Sequence, residues 1–164
     1  MRFILLDRFI RIEPGRSAKA IKNLSLAEEY LADHFPTFPV LPGVLMLEAM
    51  TQTSAYLVRV TEDFAHSLIV LREAKNVSYS NFVTPGSTMD IETEMIHCSP
   101  QRSTFKAQCS MQGANVARAR LELEHANLAD RFPGGQEQDA KLREHFRAQF
   151  KLLGGPEALV SEKG

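Results

Sequence analysis

One histidine and one glutamate stand fourteen residues apart in a stretch rich in prolines and apolar residues, which runs from Asp33 to Gln52. These two residues are His34 and Glu48. An imidazole can take up a proton near neutral pH, and a carboxylic acid in apolar surroundings can donate one. The pair is therefore a candidate general base and general acid.

Three prolines stiffen the chain between these two residues: Pro36, Pro39 and Pro42. Proline fixes its own φ angle and pushes the residue before it toward extended backbone. The segment from His34 to Leu41 is therefore predicted to be a stiff loop rather than a helix. Such a loop can bring the imidazole and the carboxylate into one pocket, either within a chain or across a dimer interface.

A long apolar run follows this loop. Val44 to Val58 contains neither proline nor glycine and is too long for a typical strand, so it is predicted to be a buried helix. A lone charge there is costly, so Glu48 needs a hydrogen-bonding partner or must be protonated. Gln52 lies one turn later and can supply that hydrogen bond. Gly43 and Val44 open the helix with unpaired backbone N–H groups, which makes an oxyanion site.

Each of the two ionisable residues also has a structural explanation. A lone histidine in a loop is usually a satisfied surface or core residue, and a lone buried glutamate can hydrogen-bond a neighbour in helix packing. The combination of His34, three spaced prolines, Gly43 and a solitary Glu48 favours catalysis over structure. An acid, a base and oxyanion donors beside an apolar wall suit chemistry on the carbons next to a thioester carbonyl.

The chain resembles the FabZ-type (3R)-hydroxyacyl carrier-protein dehydratases of fatty-acid synthesis in the segment HFPTFPVLPGVLMLEAMTQ, residues 34–52. The flanking segments DRFIRIEPGRSAKAIKNLS and VSYSNFVTPGSTMDIE are similar to the first two strands of that family and to the strand and turn after its helix. The resemblance covers Phe3 to about Glu124. It implies a hotdog fold, an α+β architecture in which a curved antiparallel sheet wraps a long central helix.

The resemblance implies a hydro-lyase that reversibly removes water from a (3R)-hydroxyacyl thioester to give the trans-2-enoyl thioester. His34 would take the C2 proton, Glu48 would protonate the departing hydroxyl, and the Gly43 N–H would polarise the carbonyl. This chemistry needs no metal and no organic cofactor. An acyl tunnel would be lined by four apolar residues, although plain packing residues would look the same: Phe35, Phe38, Val40 and Leu41.

The family builds each site from two subunits, so the resemblance implies a homodimer and leaves higher assembly open. The acyl group would be carried by acyl carrier protein or by coenzyme A. Both carriers stay open, because the usual basic docking cluster is replaced by Ser78, Ser80 and Asn81. Two other functions also stay open: a hotdog acyl thioesterase, which uses water as nucleophile, and a non-catalytic acyl-binding or scaffold subunit.

The rest of the chain predicts the elements that position this site. Strands are predicted at Phe3–Ile12, Ser17–Leu24 and Ser67–Val77, with the run Leu68 to Leu71 buried on both faces. Leu26 to Leu31 is predicted to form one helical turn capped by Ser25. Three later segments alternate strictly between apolar and polar residues, which predicts a meander with one face covering the central helix: 89–96, 105–112 and 117–124.

Two segments are predicted along the chain, a hotdog domain at 1–127 and an appended segment at 128–164. In the second, Phe132 to Gly135 reads as a linker, and Gln136 to Leu153 is predicted to be an amphipathic helix docked on its own domain or on a dimer mate. The tail from Gly154 to Gly164 is predicted to be frayed.

Composition limits the remaining function classes. A chain of 164 residues supports one sizeable core. A net charge of −1 with mixed signs argues against nucleic acid as a partner. Two cysteines without zinc-type spacing, Cys98 and Cys109, suggest free thiols in a reducing compartment. The apolar run Phe3 to Leu6 is too short for a targeting segment or a membrane span, so a cytoplasmic location is expected.

Overall fold

The computed structural model describes residues 3–35 and 37–160, so the predictions for Pro36 and for the end of the tail, residues 161–164, lie outside the described residues. In this part of the chain, six strands form one antiparallel sheet in the order β1-β2-β4-β5-β6-β3. Their bounds are β1 Arg8–Glu13, β2 Ser17–Asn23, β3 Leu68–Tyr79, β4 Thr88–Cys98, β5 Arg102–Met111 and β6 Ala114–Ala126. The helices are α1 Tyr30–Asp33, α2 Gly43–Thr61, α3 Gly135–Leu152 and α4 Gly155–Ala158, with a 3₁₀ turn at Leu128–Asp130.

The central helix α2 packs on the inner face of the sheet and contacts strands β2 to β6. The strict alternation predicted for the last three strands is confirmed, because their inward residues are buried: Met89, Ile91, Thr93, Phe105, Ala107, Cys109, Ala117, Ala119, Leu121 and Leu123. The Ser54 and Thr93 hydroxyls hydrogen-bond across this interface at 2.7 Å. The predicted hotdog architecture, a sheet around a long central helix, is therefore what the chain adopts.

The first part of the chain differs from the prediction at two elements. β1 begins at Arg8 instead of Phe3, because the Leu5 N–H donates to the side chain of Gln52 at 3.0 Å instead of to a strand. The predicted helical turn at Leu26–Leu31 is shifted to α1, which begins at Tyr30. Ser25 accepts from the Ala27 N–H at 3.2 Å and so caps a preceding turn.

Strand β3 lies at the edge of the sheet and pairs with β6. The prediction that its apolar run would be buried on both faces is wrong for the single chain, because Val70 is 47% exposed. Periodicity identified the strand but could not tell whether a second layer covers its outer side. The outer edge of β3 carries no strand among the described residues, so it is open to further pairing.

Helix α3 docks on its own domain. The Phe150 ring stacks on Tyr56 at a centroid distance of 5.9 Å and lies 5.8 Å from both Phe9 and Phe64. The Tyr56 hydroxyl donates to Gln149 at 2.7 Å, which confirms Tyr56 as a core residue. The sequence allowed α3 to dock on its own domain or on a dimer mate. In the structure it docks on its own domain.

The prediction of a frayed tail is wrong for residues 154–160. Helix α4 forms there, Ala158 is buried, and the Val160 N–H donates to the Ile12 carbonyl at 2.9 Å. Local composition suggested fraying, because it carries no information about pairing with a strand near the other end of the chain. The boundary between residues 127 and 128 stays a prediction, while α3 and α4 add residues to the same hydrophobic core as the sheet.

Two further sequence predictions concern the cysteines and the membrane. Cys98 lies opposite Ser103 and Cys109 opposite Ile91 in the sheet, and both thiols are free, as predicted. Within residues 3–35 and 37–160, no helix combines the length and the hydrophobicity that a membrane crossing needs.

Candidate active site

His34 lies where α1 ends and the proline-rich loop begins. Its backbone is extended (φ −116°, ψ 105°), its side chain is half-buried, and its ring centre lies 4.5 Å from that of Phe35. The loop is fixed at its far end, where Val40 and Leu41 are buried and the Leu41 N–H donates to the Val83 carbonyl at 2.9 Å. In the described residues the segment forms no helix, as the prolines predicted.

Helix α2 begins at Gly43, where the sequence placed its start. The Pro42 carbonyl accepts from the N–H groups of Leu45 and Met46 at 2.9 and 3.3 Å. Among the residues that the structure describes, the N–H groups of Gly43 and Val44 have no hydrogen-bond acceptor. Two backbone donors at the positive end of a helix are therefore available to a developing negative charge.

The ring of Tyr79, from β3, lies directly against the helix start. A Cβ atom added at Gly43 would be only 3.0 Å from Tyr79 Cε1, so glycine is the residue that permits this approach. Burial raises the pKa of the Tyr79 phenol, so its O–H stays protonated at neutral pH and remains a donor. Tyr79 was not among the site residues predicted from the sequence. Its position in the segment VSYSNF after the helix was the only indication of its role there.

Glu48 is partly exposed, which corrects the expectation of a buried carboxylate. The reason is that the first turns of α2 are not fully covered by the chain itself, and Val44 is 67% exposed. Gln52 donates to Glu48 Oε1 at 2.9 Å, as their spacing predicted. Gln52 is itself fixed, because its amide donates to the Phe3 carbonyl at 3.1 Å and accepts from the Leu5 N–H at 3.0 Å. The carboxylate is thus held in one orientation.

The chain does not join His34 to Glu48. In the described part of the structure, no hydrogen bond or ion pair links the two side chains. Phe35 and Phe38 are 58% and 52% exposed, and Phe38 packs edge-on against Phe82 at 5.5 Å. Within the described part of a single chain, the His34 imidazole and the Glu48 carboxylate are therefore not paired, and exposed apolar side chains lie beside His34.

One groove of the chain lies away from the predicted site residues. It has a volume of about 1090 Å³ and is lined by strand residues such as Lys19, Glu92, Lys106 and Arg118, and none of the predicted site residues borders it. This groove is therefore not the acyl-binding cavity expected next to Gly43 and Glu48.

A family model described as FabA-like domain matches residues 1–120. The chain is 34% identical over 119 residues to the 3-hydroxyacyl-[acyl-carrier-protein] dehydratase FabZ of Wolbachia pipientis wMel, covering 73% of this chain and 83% of that relative. It is 36% identical over 119 residues to the protein of the same name from Caldicellulosiruptor bescii, covering 73% and 85%. Among solved structures, the dehydratase heterocomplex ApeI:P from Xenorhabdus doucetiae superposes with a TM-score of 0.65 at 21% identity, over 76% of this chain and 84% of that one.

Proposed function

The chain belongs to the FabA-like family, and from this membership we propose that it reversibly dehydrates (3R)-hydroxyacyl thioesters to trans-2-enoyl thioesters in fatty-acid or related lipid synthesis. The observation that supports the proposal most is the start of α2. There, free N–H groups at Gly43 and Val44 precede a carboxylate, Glu48, that Gln52 holds in place. His34 stands on the loop that leads into this helix.

The reaction divides between these groups as follows. The His34 imidazole removes a proton from C2, and the electron pair moves toward the thioester oxygen, where the Gly43 N–H donates to the developing charge. Glu48 in its protonated form gives its proton to the C3 hydroxyl, which leaves as water while the C2–C3 double bond forms. Gln52 orients the carboxyl group for this transfer. Hydration of the enoyl thioester follows the same steps in reverse.

The active form is a homodimer in which His34 of one protomer faces Glu48 of the other. Three features of the single chain support this. No hydrogen bond or ion pair joins the two residues in the described part of the chain. Val44, Phe35 and Phe38 expose apolar surface beside them, and β3 has an open edge twelve residues long. An exposed apolar patch next to an unpaired strand edge is typical of a subunit interface.

The acyl group reaches the site as a thioester of acyl carrier protein or of coenzyme A. The FabZ relatives are named for the carrier-protein substrate, which supports the first carrier, whereas Ser78, Ser80 and Asn81 leave the end of β3 and the residues after it without a basic cluster. The reaction takes place in the cytoplasm, a location that the two free thiols support, because cysteines stay reduced there.

The direct test gives the purified protein a (3R)-hydroxyacyl thioester, once on each carrier, and follows enoyl absorbance and free thiol in parallel. Enoyl formation is expected. Release of free thiol without enoyl product would indicate a thioesterase, and neither signal would indicate a non-catalytic acyl-binding subunit. His34→Ala and Glu48→Gln are each expected to lower kcat by about a hundredfold or more. The exposed residues His97 and Glu94 provide matched controls, and His97→Ala and Glu94→Gln should leave kcat unchanged.

A further inference from the structure

A second group of ionisable side chains lies at the opposite end of α2 from Glu48. Glu62 caps the helix, His66 stands in the connection to β3, and His125 belongs to β6. One donor atom from each of the three lies within 4.8 Å of the other two. Fourteen residues of helix separate Glu62 from Glu48, which is about 21 Å at the rise of an α-helix. The group is therefore remote from the proposed active site.

The distances within this group suit a small cation. Glu62 Oε2 lies 3.0 Å from His66 Nε2 and 3.5 Å from His125 Nδ1. A tetrahedral ion with bonds of about 2.0 to 2.1 Å to nitrogen and oxygen holds its ligands about 3.3 Å apart. Two of the three ligand-to-ligand distances that such an ion requires are thus already close to the required value. The three side chains are only 20%, 18% and 0% exposed, so solvent does not compete freely for them.

Atoms in the cluster lack other partners. Glu62 Oε2 and His125 Nδ1 are buried and have no hydrogen-bond partner among the described residues. Such atoms are rare in folded proteins and often indicate a bound ion or water. The other atoms of these groups are engaged, since Glu62 Oε1 accepts from the Cys98 thiol at 3.8 Å and His125 Nε2 lies 2.8 Å from the Ser103 hydroxyl. Glu62 Oε2 and His125 Nδ1 are therefore turned toward each other and toward His66, whose Nδ1 is likewise buried without a hydrogen-bond partner among the described residues.

The carboxylate also lacks a permanent counter-charge. In the described part of the chain, the ion-pair partners of Glu62 are His66 and His125, with no lysine or arginine among them. Arg59 lies one turn earlier on α2, but its guanidinium stacks 3.8 Å above the Phe146 ring. A buried carboxylate between two imidazoles would be stabilised by a bound cation.

We propose that Glu62, His66 and His125 bind one divalent transition-metal ion of the zinc class, with water in the fourth position. Two imidazole nitrogens and one carboxylate oxygen form a ligand set that zinc commonly takes. The hydroxyl of Ser103 orients the His125 ring, as second partners of metal-bound imidazoles usually do. The ion would tie the end of α2 and its following connection to β6, so its role is to stabilise the fold.

The test uses the full chain without an affinity tag, stripped with a chelator and titrated with ZnCl₂ by calorimetry. One ion per chain is expected, together with a rise in Tm. Cobalt(II) in place of zinc should give the visible absorption of a tetrahedral site. His66→Gln, a change in a connection that does not disturb the core, should weaken binding by about a hundredfold or more, and so should Glu62→Gln.

The exposed histidine His97 on β4 provides the control, and His97→Gln should bind as the wild type does. The proposal is overturned if the wild type binds less than one ion per chain, or if His66→Gln and His97→Gln bind equally well. The latter result would indicate that the ion binds to surface histidines instead of to this cluster. Circular dichroism of each variant ensures that weaker binding is not a loss of folding.

Discussion

Two inactive variants of this protein should regain activity when they are combined in one dimer. The variants are His34→Ala and Glu48→Gln, each expected at about one per cent of wild-type kcat or less. In a twofold-symmetric dimer, each site would take His34 from one protomer and Glu48 from the other. A mixed dimer therefore contains one site with both native residues and one site with both substitutions.

The size of the recovery follows from this geometry. Equal co-expression places about half of the dimers in the mixed form, and each mixed dimer has one working site of two, so the population should reach about a quarter of wild-type activity. This is more than twenty times the activity of either parent on the estimate of about one per cent each. The structure motivates the experiment because no hydrogen bond or ion pair joins His34 to Glu48 within the described chain, while Val44 and Phe35 beside them are exposed.

The assay is enoyl absorbance on mixed dimers purified through two different affinity tags, one on each variant. These dimers should show about half of the wild-type activity per dimer. A dimer of His34→Ala with the double variant His34→Ala/Glu48→Gln is the control and should stay inactive, because neither of its sites has a histidine. If the purified mixed dimer is no more active than its parents, the two residues do not act across the interface, and the two-subunit site is refuted.

Three further predictions concern the fold. Burial, together with the nearby His66, lowers the pKa of His125 to about 4, so the ring is neutral in the folded protein but titrates near 6.5 when unfolded. This histidine therefore leaves the free energy of unfolding unchanged above about pH 6.5 and lowers it as the pH falls toward 4. In urea titrations, the metal-free protein should lose about 2 kcal/mol of unfolding free energy between pH 7 and 5. His125→Gln should show a smaller loss, and equal losses would contradict the assignment. Burial raises the pKa of Cys98 to about 11 and that of Cys109 to about 12, so maleimide or disulfide reagents at pH 8 should label the folded protein about a hundredfold more slowly than the urea-unfolded chain. Phe150→Ala should lower the free energy of unfolding by about 3 to 5 kcal/mol, because the ring packs against three aromatic residues in the core, whereas exposed Phe132→Ala should change it by less than about 0.5 kcal/mol.

The sequence alone determined the elements whose cause is local. Prolines around His34 dictate a loop because they fix φ, and the glycine before Val44 marks the start of the helix. Alternation in the last three strands reported which side chains face the helix, and these side chains are buried. The spacing of Glu48 and Gln52 placed them one helical turn apart, which is enough to predict their hydrogen bond.

Only the tertiary structure decided features that depend on residues far apart in the chain. Leu5 leaves the first strand because Gln52 accepts its N–H, and residues 154–160 are ordered because Val160 pairs with Ile12. Glu62, His66 and His125 meet although up to 63 positions separate them, and no local pattern connects them. Periodicity reports which face of an element is apolar, but the segment or subunit that covers that face is set by long-range packing. For this reason a candidate acid and a candidate base could be proposed from the sequence, whereas the exposure of Glu48 and the open edge of β3 required the folded chain.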